Sequence, residues 1–391
     1  MQPQYRSALI LCSALLLSLG LGSIHAFSVL LEPLEQQLKV TRATIAPAYA
    51  IGLASLTLAV LLGHRVYRFL PPAMLALLTC LFATAGLIIA SIATHPVLLW
   101  IGYGLIFGFA NGIGYGFALH MTNQAFVRHR GLAMGGVTAI YAVGATGFAM
   151  LLDQWIPVSG VGGALHRLSM VLLVIGCIVS AGLWRSSVGN AASTAAPETK
   201  ADTAALDQRQ LWLCWLIYGA GVAAGLMAMG HAAGIVTAAD GTTEDGVKGV
   251  IALTIANALG GFSAGYLADR QPGHILLCCL GVLSAAALLI LAVVSEIVLV
   301  FASLAVVGFG YGAIIALFPI VTAMLFGRDA YALAYGRIFT SWGLAGLLAP
   351  WFAGILFSQT GGYGLALSIA AILALISGGL SPLLGKKPAQ S

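Results

Sequence analysis

The chain has 391 residues, of which 60% are apolar and only 7% carry charge. Soluble proteins carry roughly a quarter charged residues, so a soluble enzyme or a nucleic-acid-binding domain is excluded, and apolar blocks of about twenty residues point to a bilayer. The formal charge of +5 therefore matters less as a sum than for where each Lys and Arg sits along the chain.

Taken in order, the apolar blocks predict spanning helices over 7–31, 43–63, 71–93, 97–122, 131–153 and 167–185, then 210–237, 248–268, 274–294, 297–325, 331–357 and 362–384. The first block follows Arg6 and ends in small residues near Ala26, as a signal peptide does. Its removal would leave eleven spans and spoil the distribution of charge, so it reads as a retained first helix. With a cytoplasmic N-terminus, the inside segments hold Arg6, Arg65, Arg68, Arg128, Arg130, Arg185, Lys200, Arg209, Arg270, Arg328, Lys386 and Lys387. Outside there are Lys39, Arg42, Arg167 and Lys248. This asymmetry obeys the positive-inside rule and places both termini in the cytoplasm.

Residues 186–209, SSVGNAASTAAPETKADTAALDQR, are rich in Ala, Ser and Thr and read as a flexible cytoplasmic linker. It separates an N-terminal six-helix half, 1–185, from a C-terminal six-helix half, 210–391. The halves repeat at an offset of about two hundred residues. Gly108, Phe109 and Gly112 answer to Gly308, Phe309 and Gly312, and Arg128 answers to Arg328. Leu132, Ala133 and Gly135 answer to Leu333, Ala334 and Gly336. Gly63 and Arg68 answer to Gly265 and Arg270, with Tyr67 standing where the second half has Asp269. Parallel six-helix repeats imply a central binding site and an alternating-access cycle.

The twelve spans, the repeat and Gly265-x-x-x-Asp269-Arg270 together resemble the major facilitator superfamily over the whole chain. More narrowly, AFSVLLEPLEQQLKVTRATI after the first helix, Arg130-Gly131-Leu132-Ala133 and YGRIFTSWGLAGLLAPWFAG resemble the oxalate/formate antiporter and monocarboxylate transporter branch. The resemblance implies small organic anions moved with a proton or exchanged for another anion. Two departures stand out. Where oxalate-type members carry a substrate-binding Arg in the eighth helix, this chain has Gly261, and where they carry a Lys in the eleventh it has Trp342. Without those two cations a dicarboxylate dianion is poorly neutralised in a membrane, so a monoanion is expected rather than oxalate.

Ionisable residues inside a span are expensive and are functional candidates by default. Arg337 is the leading anion ligand, because a guanidinium offers a planar fork matched to a carboxylate; the alternative is an edge residue that caps a gate or meets lipid phosphate. His25 and His231 are the next candidates, as hydrogen-bonding or proton-accepting groups, against the alternative of histidines satisfied by a backbone carbonyl. Asn257 and Tyr141 are expected to give uncharged hydrogen bonds to substrate and Trp342 to wall the cavity, each with ordinary helix packing as its alternative. Asp269, Arg270 and Arg68 are assigned to gating, since they lie at helix mouths where they pair with neighbouring helix ends in one state and release them in another.

Nothing in the sequence supplies catalytic machinery. The six cysteines all fall in apolar spans and read as free packing thiols. No metal-ligand spacing is present, and the glycines of the fourth helix suit close helix approach rather than nucleotide binding. The expectation is an all-α integral membrane protein of twelve helices in two pseudo-repeats, multi-pass in a bacterial-type inner membrane, with no cofactor. Its partners are a small monocarboxylate-like anion, protons or a counter-anion, and lipid. Two alternatives are an exporter of amphipathic or neutral compounds and a membrane sensor that binds ligand without transporting it.

Overall fold

The computed structural model describes residues 3–126, 128–186 and 206–385, so Lys200, Lys386, Lys387 and most of the expected linker lie outside the described residues. Among the described residues ten helices are long and apolar enough to cross a membrane, by length and composition. Two of them are double. Arg130–Arg185 is interrupted at Gly160 (φ 67°, ψ 174°) and Ile297–Thr360 at Gly327 (φ 74°, ψ −179°). Dividing them there gives twelve segments in the expected order.

We number the spans first to twelfth: Tyr5–Leu38, Arg42–Phe69, Pro72–Ser91, Pro96–Ala125, the two parts of Arg130–Arg185, Gln208–Met229, Thr243–Ala268, Gly273–Val293, the two parts of Ile297–Thr360, and Gly364–Leu383. The loops expected at 154–166 and 326–330 are helical, each turned by one glycine in left-handed backbone that a side chain would strain. Gly160 and Gly327 share one backbone conformation, whereas Gly361 ends the eleventh helix in the left-handed helical region (φ 72°, ψ 7°). The first span is not one regular helix. It runs as α-helix over Pro3–Leu21, tightens to 3₁₀ over Gly22–Leu30 and resumes over Leu31–Leu38. The fourth has a π-helical stretch at Trp100–Phe107.

The chain divides into two compact units, one of residues 1–127 and 140–204, the other of 128–139 and 205–391. The opening of the fifth helix therefore belongs with the second unit.

Both units use the same helix-to-helix contact. In the first, Gly108 lies on the carbonyl of Gly52 and Gly112 on that of Leu56. In the second, Gly308 lies on the carbonyl of Leu253 and Gly312 on that of Asn257. A Cβ at any of these glycines would meet backbone, which is why small residues recur there: in lipid, helix association depends on close packing and not on a hydrophobic drive. The buried interior is correspondingly rich in Ala and Gly, as at Ala14, Ala76, Ala228 and Ala370, while Phe69, Trp184 and Val293 are more than 80% exposed. Large apolar side chains directed outward suit a protein solvated by acyl chains. In the second unit Ala228, Leu253, Leu288, Leu304, Ala353 and Ala370 join the seventh to twelfth helices in one apolar core.

Candidate substrate site and gate

Several polar side chains inside the first unit converge on the 3₁₀ segment. His25 Nδ1 is 2.7 Å from the Tyr49 hydroxyl of the second helix, and its ring meets the Tyr141 ring of the fifth edge-on at 5.5 Å. Tyr141 donates its hydroxyl to Asn111 Oδ1 of the fourth helix at 2.8 Å, and Asn111 Nδ2 donates to the carbonyl of Leu21 where the α-helix gives way to 3₁₀. Tyr103 donates to the carbonyl of Ile24 at 2.8 Å. A 3₁₀ turn leaves backbone groups poorly served, and these side chains serve them.

The second unit repeats the arrangement with other residue types. Trp342 Nε1 donates to the Tyr311 hydroxyl at 3.2 Å, joining the eleventh helix to the tenth as Tyr141 and Asn111 join the fifth to the fourth. The two pairs correspond at the same offset of about two hundred residues. Phe339 stacks on Trp342 at 4.9 Å. Trp215 Nε1 donates to Thr340 Oγ1 at 2.9 Å, and Thr340 donates to the Arg337 carbonyl at 2.6 Å.

Arg337 lies ten residues past the Gly327 turn, about 15 Å along the eleventh helix at 1.5 Å per residue. It is deeper than the one or two turns that a helix beginning at 331 implies, because that helix starts at the glycine. Its side chain is half-buried, and among the described residues no hydrogen-bonding or ion-pairing partner reaches its guanidinium. Asn257 sets both its backbone carbonyl and its Oδ1 against Gly312. His231 stands between Gln208–Met229 and Ala232–Ala238, its Nε2 2.9 Å from the Pro350 carbonyl and its Nδ1 3.4 Å from the Tyr363 hydroxyl. Each unit thus has a histidine beside a tyrosine where its first helix loses regularity. His25 and Tyr141 are in direct contact, and Trp342 and Arg337 lie about one and a half turns apart on the eleventh helix, whereas His231 and Asn257 hold separate places in the second unit.

The gating candidates behave differently from one another. Asp269, at the end of the eighth helix, accepts from the backbone N–H of Gly131 at 2.7 Å and of Leu132 at 2.9 Å. It caps the start of the fifth helix, where orphan donors and the helix dipole favour a carboxylate. Gly265 and Gly135 let the two helices close to backbone contact. Arg270 folds back instead, its guanidinium 3.6 Å from the Tyr266 ring centre. Arg68 is exposed in the last turn of the second helix. Arg130, beside the cap, donates to the Ala323 carbonyl at 3.3 Å.

Tyr49, Thr340 and Trp215 did not stand out in the sequence. The repeat offset that aligns the glycines also aligns Asn111 with Tyr311 and Tyr141 with Trp342, which is the signal for the paired residues. No comparable signal marks Tyr49 before the 3₁₀ segment brings His25 to it.

A model of the Major Facilitator Superfamily matches residues 241–390. Over 351 residues, 87% of this chain and 85% of the relative, the sequence is 24% identical to the uncharacterized MFS-type transporter YhjX of Escherichia coli (strain K12). A 107-residue stretch, 27% of this chain and 21% of the relative, is 29% identical to monocarboxylate transporter 9 of Gallus gallus. The crystal structure of FucP in the outward conformation superposes with a TM-score of 0.71 at 14% identity, covering 97% of this chain and 98% of its own. XylE, the proton:xylose symporter bound to 6-bromo-6-deoxy-D-glucose, gives 0.73 at 12% identity, covering 95% and 94%. Identities this low speak for the fold alone. The chain has the major facilitator fold of these solved structures, and the family model matches it over residues 241–390.

Proposed function

We propose that this transporter carries a small organic monoanion of the monocarboxylate kind, coupled to protons, by alternating access in a bacterial-type inner membrane with both termini cytoplasmic. The observation that carries the reading is Arg337. A half-buried guanidinium well inside a spanning helix, with no hydrogen-bonding or ion-pairing partner among the described residues, is a functional candidate that favours an anion. A carboxylate supplies one charge and a bidentate acceptor. The partial likeness to monocarboxylate transporter 9 points the same way. His25, Tyr141, Asn257, His231 and Trp342 are proposed to contact the rest of the substrate, and Asp269, Arg270 and Arg68 to govern access.

A second reading has its own support. The hydrogen-bonding cluster of His25, Tyr49, Tyr141 and Asn111 contains no fixed charge, which suits a neutral or amphipathic solute, and XylE is a proton:xylose symporter on the same fold.

Uptake of labelled lactate, pyruvate, formate and oxalate into proteoliposomes, with and without an inward proton gradient, separates the two. Gradient-driven uptake of a monoanion that falls about a hundredfold in Arg337→Gln is expected, the equivalent of losing roughly 3 kcal/mol of charge-assisted hydrogen bonding. Uptake of neutral solutes alone, unchanged in the variant, would transfer the function to the second reading.

A further inference from the structure

We infer that His25 is the proton-carrying residue of the transport cycle, and that Tyr49 positions it; the inference rests on the proton coupling proposed above and assigns that coupling to one side chain. His25 sits inside the 3₁₀ stretch Gly22–Leu30, and a 3₁₀ stretch within a longer helix is a frequent hinge. Around that hinge three other helices meet: the second through Tyr49, the fifth through Tyr141, and the fourth through Tyr103, which holds the neighbouring Ile24 carbonyl. The titratable groups these contacts bring to His25 are phenols. Tyr115 lies behind Tyr141 at 4.9 Å. Farther along its own segment Glu32 is exposed, and Glu35 is held by Arg42 at 2.7 Å.

The exchange of roles is simple. With its proton on Nε2, neutral His25 accepts the Tyr49 hydroxyl at Nδ1. On taking a proton from water on the open side, Nδ1 becomes a donor, the Tyr49 oxygen becomes the acceptor, and the phenol hydrogen must find another partner. Returning the proton to water on the other side restores the first arrangement. One proton crosses: an O–H bond of hydronium breaks as the N–H bond forms on one side, and the reverse occurs on the other. Because the imidazole touches both the second and the fifth helix, its charge alters the contacts that a hinge in the first helix would break.

The test has two arms on the purified full-length protein in lipid. In the first, ¹⁵N-histidine spectra of native protein and His25→Gln identify the His25 signal, which is expected to titrate between pH 4 and 8 and to shift its midpoint in Tyr49→Phe. A His25 signal constant across that range overturns the inference whatever the substrate. In the second, proteoliposomes are loaded with the labelled carboxylate that native protein moves. His25→Gln, which also removes a proposed substrate contact, is expected to lower gradient-driven accumulation at least tenfold more than it lowers exchange at equal pH on both sides. Full accumulation in that variant overturns the inference and leaves the proposed substrate class standing, as does loss of exchange together with accumulation in a monodisperse variant. If native protein moves none of the carboxylates, the substrate class fails and the titration alone decides for or against His25.

Discussion

Tyr141 and Asn111 show how much a single hydrogen bond carries inside this protein. Asn111 is fully buried, and both ends of its amide are engaged, Oδ1 by Tyr141 and Nδ2 by the Leu21 carbonyl. Tyr141→Phe keeps the ring that contacts His25 and Tyr115 but strands a buried carbonyl oxygen, which costs about 1–3 kcal/mol. We expect a loss of thermal stability of that order, read as a lowered melting temperature in detergent, and we expect Asn111→Leu added to Tyr141→Phe to recover part of it, because both polar partners are then gone. An unchanged melting temperature in the single variant would mean that water or another donor reaches Oδ1. The chemistry of these residues was readable in the sequence, but the bond between them was not. Thirty residues apart on different helices, they meet only because of how the fourth and fifth helices are rotated, and apolar periodicity is nearly silent about rotation when every face of a helix is apolar. Arg337 was readable for the opposite reason: a lone cation in an apolar block needs no geometry to be noticed.

At the scale of elements, glycine positions decide which helices can touch. Gly308 rests on the Leu253 carbonyl, whereas Gly147 in the fifth helix has nothing within 4 Å of where a Cβ would stand. Gly308→Val must push the tenth helix off the eighth and is expected to abolish accumulation of folded protein in the membrane. Gly147→Ala is expected to be neutral or stabilising by about 0.5–1 kcal/mol, since alanine is the better helix former; fluorescence size-exclusion profiles distinguish the two. The Asp269 cap makes a further prediction. Asp269→Asn retains one acceptor for the Gly131 and Leu132 N–H groups but loses the charge that favours the helix start, a change of about 1 kcal/mol. If capping stabilises one state of the gate, turnover is expected to change about fivefold with little change in substrate Kd, and a pure loss of affinity would contradict a gating role. Helix number and order were evident from apolar block length. The 3₁₀ and π segments were not, because they depend on tertiary contacts such as Tyr103 to Ile24, and neither was the helical character of 154–166, where a single glycine turns the chain that a loop was expected to turn.

For the whole molecule, the charge asymmetry makes a commitment that the helices alone do not. Twelve spans are compatible with either orientation, but placing Arg65, Arg68, Arg128, Arg130 and Arg270 outside would invert the usual bias of short loops. Gln37, in the last turn of the first span, and Gln271, after the eighth, are both exposed and lie on opposite sides of the membrane in the proposed topology. In a variant lacking Cys12, Cys80, Cys177, Cys214, Cys278 and Cys279, we expect Gln37→Cys to be labelled by an impermeant maleimide in intact cells and Gln271→Cys only after permeabilisation. The reverse pattern would turn the molecule over and put the Asp269 cap on the outer side. Equal labelling of both sites in intact cells would mean an even number of crossings between them, which would require one of the second to eighth spans not to cross. The outcome also bears on coupling, because the direction in which a proton gradient drives flux through His25 and Arg337 has meaning only once the side on which the Asp269 cap closes is known.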